Sequence, residues 1–416
     1  MSFFSRVVAA LGGVSGDPQS PQAAASSQSD VYGDLALLAA LGQGFSSRNG
    51  RVINERSAMS NATFNRAVTL ISSSIGMLPL NVMRRIGERK EKAEELRAYR
   101  ILKLKPNKVQ TPFQFKSYMQ GRALLKGNAF AQVIPGVGGA QALWPLNPDL
   151  VTIEVTDSLD VQYRYQPKQG SQRVFSSSEI MHLRSPWTQD GFSGEGLLKQ
   201  AVETLSLADL TDQSAARLLE NGAYVGGVLE HEGNLSEEAI SRLRAQFEEK
   251  FSGVENQGKW IITEEGLKAK PMGFSGRDAE GLGQRRYQAE EMSRFTGVPR
   301  PLLSFDETSW GSGVEQLGLF FVMYCLLPWF NAWEEAVAKA LLTEREQKTH
   351  YVKFNEGALL RGSLKDQADF LSKALGGPGQ GGFMLPDEAR EKMDMNPLPE
   401  RRGQQPAWMI EGTSNE

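Results

Sequence analysis

Apolar residues first recur at helical spacing near Asn61, where Val68, Ile71, Ile75 and Leu78 fall on one side of a predicted helix. A strand is expected at Leu80–Arg84, and Pro112 opens a helix running to about Lys126. The period then shortens. Runs at Ala129–Ile134, Val151–Val155, Val161–Tyr165 and Ile180–Leu183 read as strands, which makes this part an α+β unit with antiparallel hairpins. The centre of the chain is helical again. Leu198, Val202, Leu205, Ala208, Ala215 and Leu219 share one side of a helix over Glu195–Glu220, about 40 Å long, which Asn221-Gly222 ends. Ser236 caps a further helix, with Leu235 and Ile240 as a hydrophobic staple and Ile240, Leu243, Phe247 and Phe251 as its stripe. Trp260–Thr263 is strand-like, and a polar helix over Ala279–Thr296 stops at Gly297-Val298-Pro299. A Gly/Ser-rich loop, Ser304–Gly313, leads into a long helix over Val314–Leu342, with a kink expected at Pro328. A strand at His350–Phe354 and helices at Leu364–Leu375 and Asp387–Met393 follow.

Both ends fall outside this pattern. Residues 12–56 carry the small, polar, Pro/Ser-rich runs Gly16–Gln22 and Ala23–Ser29, so a mostly unfolded tether is expected, broken by one short helix at Asp34–Leu41. The end of the chain reads as a loose tail.

Composition narrows the function. A length of 416 residues fits two or three domains, and 46 Lys+Arg against 49 Asp+Glu leave a net charge of -3, with no overall basic excess to hold nucleic acid. The single cysteine, Cys325, excludes a disulfide framework and a Cys-based zinc site, and points to a reducing compartment. His182, His231 and His350 are far apart, leaving little for a His-rich metal centre or a catalytic dyad. The most apolar stretch, Leu317–Phe330, is shorter than the roughly 20 residues a bilayer needs, and Pro328 interrupts it, so no membrane span is expected; no cofactor is expected either. The N-terminus lacks a sustained apolar run with a cleavage site, so the expected product is soluble and intracellular.

Chemical motifs are sparse. No Walker lysine loop is present, so the chain is not itself a P-loop ATPase. Gly377, Gly379 and Gly382 satisfy G-x-G-x-x-G, but a helix precedes them and Pro378 sits inside, which reads as a flexible loop. Gly191–Glu195 resembles a nucleophile elbow without its last glycine. The pairs Glu237-Glu238 and Glu248-Glu249 read as a solvated helix face rather than acid–base machinery. No enzyme is expected. One alternative class stays open at this point, a cytoplasmic phosphate- or nucleotide-binding enzyme whose Gly-rich loops hold phosphate. Size discriminates, because such an enzyme is more often a monomer or dimer.

A run of phrases carries a family resemblance. His182-Leu183-Arg184 followed by Asp190–Leu198, then Asn221-Gly222-Ala223 with Gly226–Leu229, resembles the passage into and out of the stem of portal proteins of tailed double-stranded-DNA bacteriophages. Phe295–Leu303, Glu315, Leu327-Pro328, Trp333-Glu334, Phe354-Asn355, Leu359–Gly362 and Met384–Arg390 continue the likeness in order over residues 57–397. Each phrase is short; order and spacing make the resemblance to the lambda-like head portal family.

The resemblance implies a portal fold with wing, helical stem, clip, tunnel loop and crown, assembled as a ring, usually of twelve copies. Residues 1–56 would be an arm, 57–194 the wing, 195–221 and 278–296 the stem helices, and 222–277 the clip. Residues 297–313 would hold the tunnel loop, 314–357 a long wing helix and strand, 358–395 the crown, and 396–416 a tail. Asp306, Glu307, Thr308, Ser309 and Trp310 would face the DNA channel, with Trp310 either lining the bore or packing on a neighbour. Glu237, Glu238, Arg242, Arg244 and Trp260 would dock partners. The implied partners are other copies of the chain, the terminase large subunit, a head–tail connector or adaptor, the major capsid protein and passing double-stranded DNA, with no membrane. The implied location is the virion, after assembly in the host cytoplasm. A head-completion adaptor ring is a further alternative, against which the wing–stem–crown order speaks.

Overall fold

The computed structural model describes residues 44–87, 89–137, 139–220, 227–230, 237, 241, 268–271, 277–303, 313–356, 364–376, 381–393, 398 and 403–406. The chain divides into two compact units, Met1–Asn65 with Leu198–Glu291, and Arg66–Leu197 with Met292–Glu416.

The larger unit is built on three antiparallel three-stranded sheets. In the first, Leu80–Ile86 lies between His350–Phe354 and Arg89–Lys92, so a strand from the far end of the chain pairs beside an early one. Val352 sits opposite Val82 and Phe354 opposite Leu80, all four buried. In the second, Asn128–Gly136 lies between Ile180–Arg184 and Gly139–Leu146, with a bulge at Ile134/Pro135. The third joins Val151–Val155, Val161–Tyr165 and Arg173–Ser176. Phe130, Leu146, Tyr163, Phe175 and Ile180 form one core cluster shared by these last two sheets. Strands Arg89–Lys92, Gly139–Leu146 and Arg173–Ser176 were not expected from periodicity. The first is all charge and the second contains Pro145, so pairing with a neighbouring strand specifies them rather than alternation.

The Pro112–Lys126 helix starts on a Thr111/Gln114 capping box and ends on Gly127 at φ +84. The Leu327–Leu341 helix brings Trp329, Phe330, Trp333 and Val337 inside. Trp333 is fully buried, donates its indole N–H to Gln120 Oε1 at 2.8 Å and meets Phe115 edge-on, with ring centroids 6.4 Å apart. Phe330 stacks at a tilt on Phe354, 4.8 Å between centroids.

Just ahead of Pro328, where a kink is expected, the helix widens. Helix Gly313–Phe320 continues through a π turn, Phe321–Leu326, into Leu327–Leu341, and the Leu327 N–H bonds to Val322 O, five residues back. A proline removes one donor from the ladder, and widening the turn ahead of it re-seats the neighbouring bonds. The segment Gln316–Leu341 is long and apolar enough to cross a membrane by length and composition alone. That differs from the reading of Leu317–Phe330 as too short, because the helix runs on through Pro328. Its inward face is nevertheless part of the core.

In the smaller unit the expected tether is too long at its C-terminal end. Phe45–Ser46 and Val52–Ile53 form a hairpin, and Asn54 caps the Glu55–Ser60 helix. Helix Val202–Glu220 lies against that hairpin. Ser47 Oγ is 2.9 Å from Ser206 Oγ, the Arg48 N–H donates to Glu203 at 2.9 Å, and the Arg51 guanidinium pairs with Asp209 and reaches Gln213 Oε1 at 2.7 Å. Polar residues hold this hairpin, so a composition reading could not see it. Within the same unit Gln288 on the Arg277–Thr296 helix donates to Thr211 Oγ1 at 3.2 Å, and Thr204 Oγ1 donates to Glu291 at 3.0 Å. The expected helix over Glu195–Glu220 is in fact a short turn, Leu197–Gln200, followed by Val202–Glu220.

Candidate functional site

The residues expected to carry function are placed unevenly. Asp306, Glu307, Thr308, Ser309 and Trp310 lie outside the described residues, as do Glu238, Arg242, Arg244 and Trp260. Glu237 is helical and exposed. What the structure does assemble is the loop that follows the second sheet in the larger unit, from Ser185 to Gly196.

That loop is organised by Asn128, the first residue after the Gly127 helix cap. Its Oδ1 accepts from the Gly194 N–H and from His182 Nε2, both at 2.9 Å. Its Nδ2 donates to Ser193 Oγ and to Gly194 O, both at 3.0 Å. Because Oδ1 can only accept, His182 carries its proton on Nε2, and Nδ1 is left to accept from the Tyr163 hydroxyl at 3.2 Å. His182 also faces Phe130 at 4.6 Å between ring centroids. Burial among these rings, with the Arg184 and Lys339 cations adding to it, lowers its pKa to about 3, so the imidazole is neutral.

Three glycines let the backbones meet. A methyl on Gly127 would overlap the Gly194 carbonyl, one on Gly194 the Gly127 carbonyl, and one on Gly196 the Leu125 carbonyl. Ser185 N–H bonds to Gly127 O at 2.7 Å, and Glu195 N–H to Trp187 O at 3.0 Å. The loop between them folds on Asp190, whose Oδ1 accepts from the Thr188 hydroxyl and from the Phe192 and Ser193 N–H groups at 3.1, 2.8 and 2.7 Å. Those backbone donors, Ser193 first, hold the Asp190 carboxyl below its ordinary value. The Gly191–Glu195 phrase is thus a clasped loop: Ser193 accepts from Asn128, and the nearby His182 is bonded to Asn128 rather than to the serine. Beside the clasp lies a groove of about 560 Å³ lined by Tyr163, His182, Arg184, Thr188, Phe192 and Lys339. Arg184 is itself bonded to Gly191 O.

A second feature closes the Arg277–Thr296 helix. Gly297, at φ +71, turns the chain, Val298 is fully buried, and Thr296 O accepts from Cys325 Sγ at 3.3 Å within the π turn. Burial pushes the Cys325 thiol up to about 12, which leaves it protonated and inert as a nucleophile. Among the described residues no group of three or more His, Cys, Asp and Glu could hold a metal ion. These arrangements position backbone; they offer no activated nucleophile. Asn128 escaped sequence reasoning because its partners lie dozens of residues away. Its signal is only the Gly-Asn step after a helix.

Comparison with known proteins agrees with this architecture. A family model described as phage portal protein matches residues 62–394. The portal protein of Enterobacteria phage HK97 is 30% identical over 353 residues, covering 83% of this chain and 81% of that one. The probable portal protein of Streptomyces phage phiC31 is 26% identical over 377 residues, 86% of this chain and 79% of that one. Among solved structures, a chain of the native gene transfer agent virion superposes with a TM-score of 0.58 at 22% identity, over 95% of this chain and 100% of that one. An HK97-family phage portal protein from Corynebacterium diphtheriae superposes with a TM-score of 0.52 at 17% identity, over 74% of this chain and 98% of that one.

Proposed function

Because the chain belongs to the phage portal protein family, we propose that copies of it close into a ring at one vertex of a phage head. Double-stranded DNA passes through the central channel of that ring during packaging and ejection. The observation that carries this reading is the extent of the family match. It runs from residue 62 to residue 394 and takes in the sheets, both central helices and the long helix after residue 313. A ring of twelve is supported by a fold relative from the neck of a native gene transfer agent particle, computed with twelvefold symmetry. The role assigned is structural, in the virion after assembly in the host cytoplasm.

Charge supports a conduit. Each phosphate neutralised by a Lys or Arg adds salt-dependent affinity and therefore drag on a moving duplex. The loop Ser304–Gly313 carries Asp306 and Glu307 and no Lys or Arg, and the whole chain is at -3. In this reading Asp306–Trp310 brush the DNA, a separate terminase supplies the motor, and a surface with Glu237, Glu238, Arg242, Arg244 and Trp260 docks the terminase large subunit and then the head–tail connector. The major capsid protein surrounds the ring.

One packaging assay tests these assignments together, with electron microscopy of the purified protein as the prior check for a ring. Deleting Asp306 to Ser312 preserves the ring and lowers the DNA retained per head. Asp306→Lys with Glu307→Lys slows translocation, less so as salt rises. Arg242→Glu with Arg244→Glu impairs packaging without dissolving the ring. Heads that fill and hold DNA normally with the deletion refute the channel assignment.

A further inference from the structure

From Gln316 to Trp333 the sequence has no charged residue, and the helix there is apolar on two sides. One side is core, where Phe321, Val322, Cys325 and Leu326 are each 6% exposed or less. The other is open: Leu319 is 36% exposed, Phe320 49%, Met323 55% and Tyr324 67%. Offsets of one, four and five residues place these four on a single face. Together they present on the order of 400 Å² of largely apolar surface, within the range at which a patch on a single chain is often functional. The face is also pre-shaped. Phe320 and Tyr324 are already stacked, 5.7 Å between centroids and 23° between planes, so little rotamer freedom remains to be lost on contact. Behind them the π turn is pinned by Cys325 Sγ on Thr296 O and by Gly297, whose added methyl would meet Tyr324 O and Cys325.

We propose that this face is the apolar centre of a contact with a second copy of this chain. The proposal rests on the ring reading given above and adds to it the surface that closes the ring. Three observations favour a protein partner of this kind. Absence of charge with exposed Phe, Met and Tyr is the composition of an interface core. The area is about half of what one partner buries in a standard stable interface, which suits a centre with a polar rim around it. A lipid surface suits the helix less well, because Phe330 and Trp333 further along it are fully buried within their own unit. In a ring of more than two copies the contact is head-to-tail, so the face meets a different surface of the next copy rather than itself.

The test uses the full chain. Tyr324 is replaced by the photo-cross-linker p-benzoylphenylalanine, and isotopically light and heavy copies are mixed before irradiation. Cross-linked products at multiples of the monomer mass, joining residue 324 of one isotope to a peptide of the other, are the expected result. In parallel, Phe320→Ser, Met323→Ser and Tyr324→Ser are combined. The ring-forming association constant falls by at least about tenfold, as expected for loss of an aromatic anchor, while the melting curve of the unassembled chain is unchanged. If wild type forms rings but residue 324 cross-links only within its own chain, and the triple variant assembles equally well, the face is not the contact although the ring reading stands. If wild type stays monomeric at every concentration, both fail. Co-flotation with phosphatidylglycerol vesicles in place of cross-linking between copies assigns the face to lipid and overturns the proposal.

Discussion

Acidification should lower the stability of the fold well before it protonates the carboxylates generally, and His182 is the reason. In the folded chain its Nε2–H is spent on Asn128 Oδ1, and its Nδ1 lone pair accepts from Tyr163. A second proton on Nδ1 would remove that acceptor and set a charge near Arg184 and Lys339. Folding therefore lowers the pKa from 6.5 to about 3. Between those values the unfolded chain binds a proton that the native chain refuses, so stability is complete above about pH 6.5 and declines as pH falls toward 3. At pH 5 the unfolded state gains about 2 kcal/mol from this one group. His182 keeps some solvent contact, so a loss of about 1 to 2 kcal/mol is expected.

Glutamine is the comparator, since it can donate to Asn128 and accept from Tyr163 without titrating. Paired denaturant melts of wild type and His182→Gln, at one protein concentration, should diverge between pH 7 and pH 5. Wild type should lose about 1 to 2 kcal/mol more than the variant. A difference that stays constant across that interval would refute the reasoning, whatever the sign of the offset at pH 7.

Asn128→Ala leaves the Gly194 N–H and the His182 Nε2–H without their acceptor and should lower stability by about 2 to 4 kcal/mol, read by the same melts. Gly127→Ala, which adds a methyl against Gly194 at a positive φ, should be at least as damaging, and normal melting of either variant would remove the clasp from the account. Lys116 is buried in the larger unit with its ammonium on Leu78 O and 5.9 Å from the centre of the Phe354 ring. Desolvation first, then Lys103, lowers its pKa from 10.5 to about 8. The native chain thus sheds this proton before the unfolded one, and stability should rise from pH 8 toward 10.5. Lys116→Met should abolish that rise and gain about 1 to 2 kcal/mol at pH 7, once the lost carbonyl bond is set against the removed buried charge; a variant that keeps the rise would assign it to another group.

How far the chain could be read from sequence depends on whether a feature is local. The helices Ala62–Met77 and Pro112–Lys126 and the strand His350–Phe354 are legible because the apolar period and a helix-starting proline act within one or two turns. The order of short phrases from His182 to Arg390 points to the portal family, which the match over residues 62–394 bears out. What stayed hidden is cooperative over distance. Arg89–Lys92 becomes a strand only because Leu80–Ile86 offers it an edge, and Ser47, Arg48 and Arg51 order a hairpin only because Ser206, Glu203 and Asp209 face them. The proline in the long helix illustrates the remaining gap. Sequence predicts that Pro328 must disturb the ladder, but not that the turn ahead of it widens over Phe321–Leu326. Packing from elsewhere in the chain holds both flanks of that turn: Gly297 and Thr296 lie against Tyr324 and Cys325, and Trp329, Phe330 and Trp333 tie the far side of the proline to the core. With both flanks held, the widened turn takes up the proline and leaves Phe320, Met323 and Tyr324 exposed on the side away from buried Phe321, Val322, Cys325 and Leu326.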